Sequence, residues 1–136
     1  MPVFYYDPPD RFVAGAVGQP GDRIFYLQAT ASGRMTSVVL EKFQVSLLAE
    51  RIDELLDEVL RRTGGSVEVP AAAPVGLQDD GPLESPVMED FRVGAIALAW
   101  DSDGGMVVIE AQEESEEPIE PLADDIPPDG PGVLRV

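Results

Sequence analysis

The sequence contains no cysteine and no histidine, and only nine of its 136 residues are basic. Nucleophile–base pairs built on Cys or His, and tetrahedral zinc sites, need the missing side chains and are excluded from this chain. A disulfide framework is excluded for the same reason. No apolar run approaches the roughly 18 residues that a membrane span needs, and the N-terminus has no secretory signal pattern. These features predict a cytoplasmic protein without a cofactor.

The net charge of −17 is unevenly distributed along the chain. Residues 1–63 carry nine acidic and seven basic residues, a net −2, whereas residues 64–136 carry seventeen acidic residues against Arg92 and Arg135, a net −15. A field of this sign repels phosphate backbones and anionic lipids. The charge predicts that the partner is a protein and is neither a nucleic acid nor a membrane. If charge selects the partner, the partner is basic. The alternative is that the acidic segments only keep the protein soluble.

The first forty residues predict strands separated by short turns. Short turns join antiparallel neighbours, so these segments form a β-meander. Residues rich in β-branched and aromatic side chains define the predicted strands: Val3–Tyr6, Arg11–Val17, Arg23–Thr30 and Arg34–Glu41.

The hydrophobic period then changes from two residues to 3.6. One amphipathic helix over residues 43–62 is predicted, and it packs on one face of the sheet. Acid-before-base pairs four residues apart and Gly64 after the last turn support its C-terminal end. The fold class is therefore α+β. The stripe that faces the sheet consists of Val45, Leu48, Ile52, Leu55 and Val59, widened by Leu47, Leu56 and Leu60.

The whole chain, 1–136, is predicted to form a single domain. Residues 64–90 lose all periodicity and contain four prolines, which is typical of a mobile linker. Residues 91–112 predict a β-hairpin around a turn at Asp101–Gly105. Residues 113–132 form a second acidic, proline-rich loop, and residues 133–136 a final strand.

Two segments of the chain are similar to each other. Phe12–Val17 and Phe91–Ile96 align with Phe and Gly in register, and Leu27–Ala29 and Ile109–Ala111 follow as the ends of the next strands. We interpret the similarity as a degenerate ββ…βα duplication whose second helix is missing. The alternative is chance similarity between two glycine-containing hairpins.

The duplication makes two structural predictions. Gly15 and Gly94 should occupy equivalent points of their strands, each at a bulge or a close backbone approach. The position of the missing second helix should be bare and apolar, which would favour a homodimer.

Several motifs also resemble a known family: Asp7–Gly15, Val17–Gly21, Phe25–Ala29, Leu40–Lys42, Leu48–Ile52, Phe91–Gly94 and Val108–Ala111. The family that they resemble is the actinobacterial family of unknown function DUF3090. Its members usually continue after the last strand into a helix and a Cys-rich, zinc-ribbon-like tail. This sequence has neither, so no zinc site is carried over. The resemblance implies a bacterial cytoplasmic protein and brings no established activity.

Three functions of different class remain open. The first is a non-catalytic interaction module that binds a protein partner through its sheet or its acidic segments. The second is an enzyme or enzyme subunit that uses carboxylates with a divalent metal; Asp7 and Asp10, on either side of two prolines, are its only candidate residues. The third is a single-strand nucleic-acid binder of the Whirly or PUR type. Its stacking residues would be Tyr5, Tyr6, Phe25, Tyr26 and Trp100.

Overall fold

The computed structural model describes residues 3–64, 81–116, 120–122 and 132–136. Seven strands and one helix lie within these ranges, which confirms the α+β class. The elements are β1 (Val3–Tyr5), β2 (Arg11–Val17), β3 (Ile24–Ala31), β4 (Arg34–Leu40), α1 (Lys42–Arg62), β5 (Phe91–Asp101), β6 (Met106–Glu113) and β7 (Val133–Arg135).

The strands form one sheet in the order β1-β7-β6-β5-β4-β3-β2. The predicted meander is present in β2-β3-β4 and again in β5-β6-β7, where neighbouring strands are antiparallel. The sheet as a whole is mixed, however, since β4–β5 and β1–β7 are parallel pairs. The purely antiparallel prediction was therefore wrong in this respect. For β4–β5 the physical reason is that α1 connects the two strands, and such a crossover returns the chain in the same direction.

The helix has the predicted position and recognisable ends. At its start, the side chain of Gln44 accepts a hydrogen bond from the Glu41 N–H (2.7 Å). Two arginines lie in the last turn, where their positive charges interact favourably with the negative end of the helix dipole. Gly64 follows the helix with a positive φ of 60°. Of the predicted stripe, Leu48 and Val59 are buried, while Val45, Ile52 and Leu55 are partly buried. Leu47 and Leu60 are exposed.

The core lies between α1 and one face of the sheet, which we call the helix face. Side chains alternate between the two faces of a strand. On the helix face, Leu27, Val38 and Leu134 are almost completely buried and form a cluster with Leu48 of the helix. The sheet curves around this cluster: Tyr6, just after β1, shares a hydrogen bond with Thr36 of β4 (2.8 Å), four strands away in the sheet order. A flat sheet would separate these strands by roughly 19 Å.

The opposite face, which we call the loop face, carries buried polar side chains beside the buried Tyr26, Val39 and Val133. Its centre holds Gln28, Ser37, Glu110, Gln112 and Arg135, all buried. The sequence predicted a bare apolar position for a missing helix. On this face that prediction is wrong, because buried polar side chains lie among the apolar ones and described loop residues hydrogen-bond to them.

The predicted duplication is reflected in the order of the strands but not in the alignment of the glycines. The meanders β2-β3-β4 and β5-β6-β7 lie side by side in the same order. Gly15 pairs regularly with Tyr26. Gly94 lies at a register shift between Val93 and Ala95, and a Cβ there would come within 2.7 Å of the Glu114 backbone. The two glycines are therefore not equivalent.

The ranges predicted as loops are described only in part. Residues 65–80 of the predicted linker lie outside the described residues, as do 117–119 and 123–131 of the acidic loop. Residues 81–90 contain neither helix nor strand, and Arg11 and Gln28 of the sheet hold them through hydrogen bonds to Gly81 and Glu84. Within the described ranges, no helix is long and apolar enough to cross a membrane.

Candidate functional site

The two candidate acids of the sequence, Asp7 and Asp10, lie on the segment between β1 and β2, and both are exposed. The carboxylate of Asp10 accepts a hydrogen bond from the Ser32 N–H in the β3–β4 turn (3.2 Å). Asp10 therefore joins two loops, a structural use of a carboxylate. Within the part of the chain that the structure describes, no group of three or more acidic side chains is arranged to hold a metal ion.

The aromatic residues proposed for stacking do not share one exposed surface. Tyr6 and Tyr26 are buried, on opposite faces of the sheet. Tyr5 is half-exposed, and the guanidinium of Arg135 lies 5.4 Å from the centre of its ring. A platform for successive bases needs several exposed rings side by side. Buried rings cannot contribute to one.

An apolar groove lies between α1 and β5, and we call it the α1–β5 groove. Its volume is about 590 Å³. The sheet contributes Ile96 and Leu98, which the bulge at Gly94 turns toward the helix, and the helix contributes Leu47, Leu48 and Leu55. The remaining lining residues are Phe43, Gln44, Arg51, Glu54, Glu58 and Gly94.

Helical periodicity explains how α1 contributes to both the core and the groove. Val45, Leu48 and Ile52 lie against the sheet. Phe43 and Leu47, one turn apart on the neighbouring side of the helix, remain 67% and 43% exposed. Two large apolar side chains on an exposed surface next to a concave surface are typical of an interaction site.

The charged side chains that line the groove are paired along the helix itself. Arg51 donates to Glu54 (3.0 Å), and Glu58 pairs with both Arg61 and Arg62. Such exposed pairs contribute little to stability. The groove lining contains one guanidinium and two carboxylates, so its net charge is negative.

A second distinctive site is the buried ion pair of Glu110 and Arg135 on the loop face. The Arg135 guanidinium donates two hydrogen bonds to Glu110 Oε1 (2.5 and 3.1 Å) and a third to the hydroxyl of Tyr5 (2.9 Å). Glu110 Oε2 accepts from the Leu122 N–H (2.7 Å) and from Gln112 (3.2 Å). Two adjacent strands, β6 and β7, place the pair directly opposite each other.

The surroundings of this pair stabilise its charged form. Burial acts to raise the pKa of Glu110, but the hydrogen bonds from Leu122, Arg135 and Gln112 outweigh burial and lower it below the ordinary 4.5. Burial likewise acts to lower the pKa of Arg135, and its bonds to Glu110 and Tyr5 raise it. Both groups are therefore charged at neutral pH. Through its hydrogen bonds the pair links Tyr5, β6, β7 and the backbone of Leu122, and we assign it a structural role.

Neither site was predicted from the sequence. The groove depends on Ile96 and Leu98, which are distant from α1 in sequence, and no local pattern connects them. A signal for the ion pair was available, because Glu110 interrupts an apolar strand between Ile109 and Ala111. A charged residue at such a position requires a buried partner.

The fold and these sites define an acidic α+β protein built on one mixed sheet with a single crossover helix. More particularly, the chain belongs to the family described as proteins of unknown function (DUF3090), whose model matches residues 4–136. The resemblance stated from the sequence motifs is thereby confirmed. No curated protein and no solved structure matches the chain.

Proposed function

We propose that the chain is a non-catalytic, acidic interaction module that binds a protein partner in the α1–β5 groove. The observation that carries this proposal is the exposure of Phe43 and Leu47 beside a concave apolar surface. Exposed aromatic residues next to a pocket are the usual anchors of protein interfaces. The proposed location is the cytoplasm, since a chain without cysteine fits a reducing compartment.

The chemistry of the groove supports a binding role over the metal-enzyme alternative. Its polar lining residues are Gln44, Arg51, Glu54 and Glu58, and three of these four form ion pairs along the helix. A reaction needs a nucleophile, acid or base held close to a substrate. Apolar side chains dominate the lining instead, which favours burial of an apolar partner surface.

The shape and charge of the groove favour an amphipathic helix with basic flanks as the occupant. The helical wall from Phe43 to Glu58 spans 15 residue steps, so it is roughly 22 Å long at 1.5 Å per residue. A partner helix of similar length would place its apolar side chains on Leu47, Ile96 and Leu98. Basic side chains at its edges would face a protein of net charge −17.

A model peptide tests this proposal directly. The probe is an amphipathic Leu/Lys helix of about 16 residues, and the control is the same composition in scrambled order. We expect the helix to bind and Leu47→Asp to weaken binding at least about tenfold, because a carboxylate in an apolar contact is desolvated without a partner.

The matched control is Met88→Asp. Met88 is also apolar and 69% exposed but lies outside the groove. Equal binding by the Leu47→Asp variant and the unmodified chain, or equal binding of the scrambled peptide, would exclude the groove as the site. Capture of partners from native-host lysate with the unmodified chain and with the Leu47→Asp variant would then identify which protein uses it.

A further inference from the structure

The two edges of the sheet differ in how they are protected against pairing with another strand. β1, at one edge, has three residues and is soon followed by Pro8 and Pro9. β2, at the other edge, has seven residues and contains no proline, no lysine and no bulge. Natural edge strands usually carry such features because their free backbone groups attract another strand. Among the described residues, no strand pairs with the outer edge of β2.

A second groove runs along this edge of the sheet, and we call it the edge groove. Its volume is about 850 Å³. Five consecutive residues of β2 and its turn, Ala14–Gly18, form one wall, and residues of the 81–87 segment form the other. Consecutive residues point to alternate faces, so a groove lined by all five follows the edge of the strand rather than one face of the sheet.

The last five residues of β2, Val13–Val17, are symmetric about Gly15. Reading outward from Gly15, Ala14 matches Ala16, and Val13 matches Val17. In an isologous antiparallel pair, residues related by the two-fold axis meet their counterparts in the partner. An axis at Gly15 would therefore place alanine opposite alanine and valine opposite valine.

We propose that the edge groove is the site where a second copy of this chain adds its own β2, antiparallel and centred on Gly15, so that two sheets become one. The exposed side chains of β2 fit such a pair. Ala14 and Ala16 are small and exposed, and Val17 is 45% exposed. Pairing would bury them and give the outer edge of each β2 a neighbouring strand.

Leu83 provides an apolar contact at the axis. Its side-chain carbons lie as close as 2.8 Å to the position that a Cβ on Gly15 would take, so Leu83 covers the glycine on the loop face. Opposite residues of an antiparallel pair have Cα atoms about 5 Å apart. The two Leu83 side chains of a dimer would therefore lie side by side over the paired glycines.

The charge distribution permits this contact despite the net charge of −17. Residues 1–63, which contain β2, carry a net charge of only −2. Within the strand the only charge is that of Arg11, and it pairs with Glu84 of the 81–87 segment (3.3 Å), so the charges beside the contact balance. Repulsion between the copies then comes mainly from charges elsewhere in the chain, and salt screens it over about 10 Å.

Charge substitutions at two positions test both the surface and the register. In the proposed dimer Ala14 lies opposite Ala16 of the second copy, so A14K/A16K places lysines directly opposite each other twice. We expect the dimer of the unmodified chain, measured by sedimentation equilibrium, to weaken at least about tenfold. A14E/A16K places Glu opposite Lys and should keep the dimer.

A matched control separates this effect from a change in net charge. S46K/A49K adds the same two positive charges at exposed helix positions outside the α1–β5 groove. Since both double-lysine variants lower the net negative charge, a general charge effect would strengthen association in each. Weakening in A14K/A16K alone supports the proposal.

Three results would overturn the proposal. The first is an unmodified chain that stays monomeric at about 100 µM, a concentration at which a dimer with a micromolar Kd would be mostly formed. The second is a dimer that A14K/A16K leaves intact. The third is a dimer that A14E/A16K disrupts as strongly as A14K/A16K does. The circular dichroism and urea midpoint of each variant show whether it is folded.

Discussion

Replacing Glu110 by glutamine perturbs the most buried charge among the described residues. The carboxylate, with no measurable exposure, accepts four hydrogen bonds: two from Arg135, one from Leu122 and one from Gln112. Glutamine has nearly the same shape, but one of its two ends is an NH₂ group that cannot accept a hydrogen bond. It also leaves the guanidinium of Arg135 buried without an opposite charge.

The magnitude follows from the burial of both partners. Removing one member of a buried, hydrogen-bonded ion pair typically destabilises a protein by about 3–5 kcal/mol. A domain of ordinary stability has about 5–15 kcal/mol in total. For a chain of 136 residues, the loss corresponds to a lower Tm by on the order of 10 °C.

The pH dependence of the free energy of unfolding gives a second, independent test of this ion pair. Because the pKa of Glu110 is lowered in the folded state, its contribution to stability is complete above the ordinary value of 4.5 and is lost as pH falls through the lowered pKa. Glu110→Gln has no such titration. The difference in the free energy of unfolding between the two proteins should therefore be largest at pH 7 and decrease below pH 4.5.

Urea unfolding at pH 7 and at several values below 4.5 measures this difference. The control is Glu114→Gln, the same substitution at an exposed position, which should change stability by less than about 0.5 kcal/mol. Glu110→Leu combined with Arg135→Met, which removes both charges, should recover part of the loss. If Glu110→Gln is as stable as the unmodified chain at pH 7, or if its deficit is the same at pH 3, the role assigned to this ion pair is wrong.

Three further predictions concern the glycines, the candidate acids and nucleic acid. Gly94→Ala should lower the free energy of unfolding by about 2–3 kcal/mol, because the new Cβ would meet the fixed backbone of Glu114. Gly15→Ala should lower it less, because there the new Cβ meets only the movable side chain of Leu83. Equal urea midpoints for the two variants would contradict this prediction. Adding Mg²⁺, Mn²⁺ or Ca²⁺ should leave the midpoint of thermal unfolding unchanged, and a midpoint raised by a metal would restore the enzyme alternative. Asp10→Ala should lower the free energy of unfolding by about 1 kcal/mol, because the hydrogen bond from the Ser32 N–H is lost. Binding of a single-stranded oligonucleotide at physiological salt should be negligible, and micromolar affinity measured by fluorescence anisotropy would support the Whirly-like alternative.

Local patterns in the sequence predicted the elements of the fold but not their arrangement. The period of 3.6 located α1, and the turns located the meander, because both depend on neighbouring residues. β4 and β5 pair in parallel where Val38 meets Phe91. In the sequence, these two residues are separated by the whole of α1 and by residues 65–80. No pattern within a short window contains such a contact, so the mixed sheet was not predicted.

The candidate site was missed for a related reason. Periodicity identifies a broad apolar surface on α1, but it does not say how wide the sheet beneath the helix is. Leu47 belongs to that surface and was grouped with the core stripe. In the structure the bulge at Gly94 redirects β5, and Leu47 is left facing a groove rather than a packed layer. One residue of irregularity in a strand thus decides which helix side chains remain exposed.

The polar centre of the loop face has a physical explanation that the sequence could have supplied. A helix satisfies its own backbone hydrogen bonds, so an apolar sheet face can pack against it, whereas a loop brings free N–H and C=O groups that need partners. Gln28 meets this need by bonding both the N–H and the C=O of Glu84, and Glu110 by accepting from the N–H of Leu122. Both side chains stand between apolar neighbours in the middle strand of a meander. A polar residue at such a position indicates that a loop, rather than a second helix, covers that face.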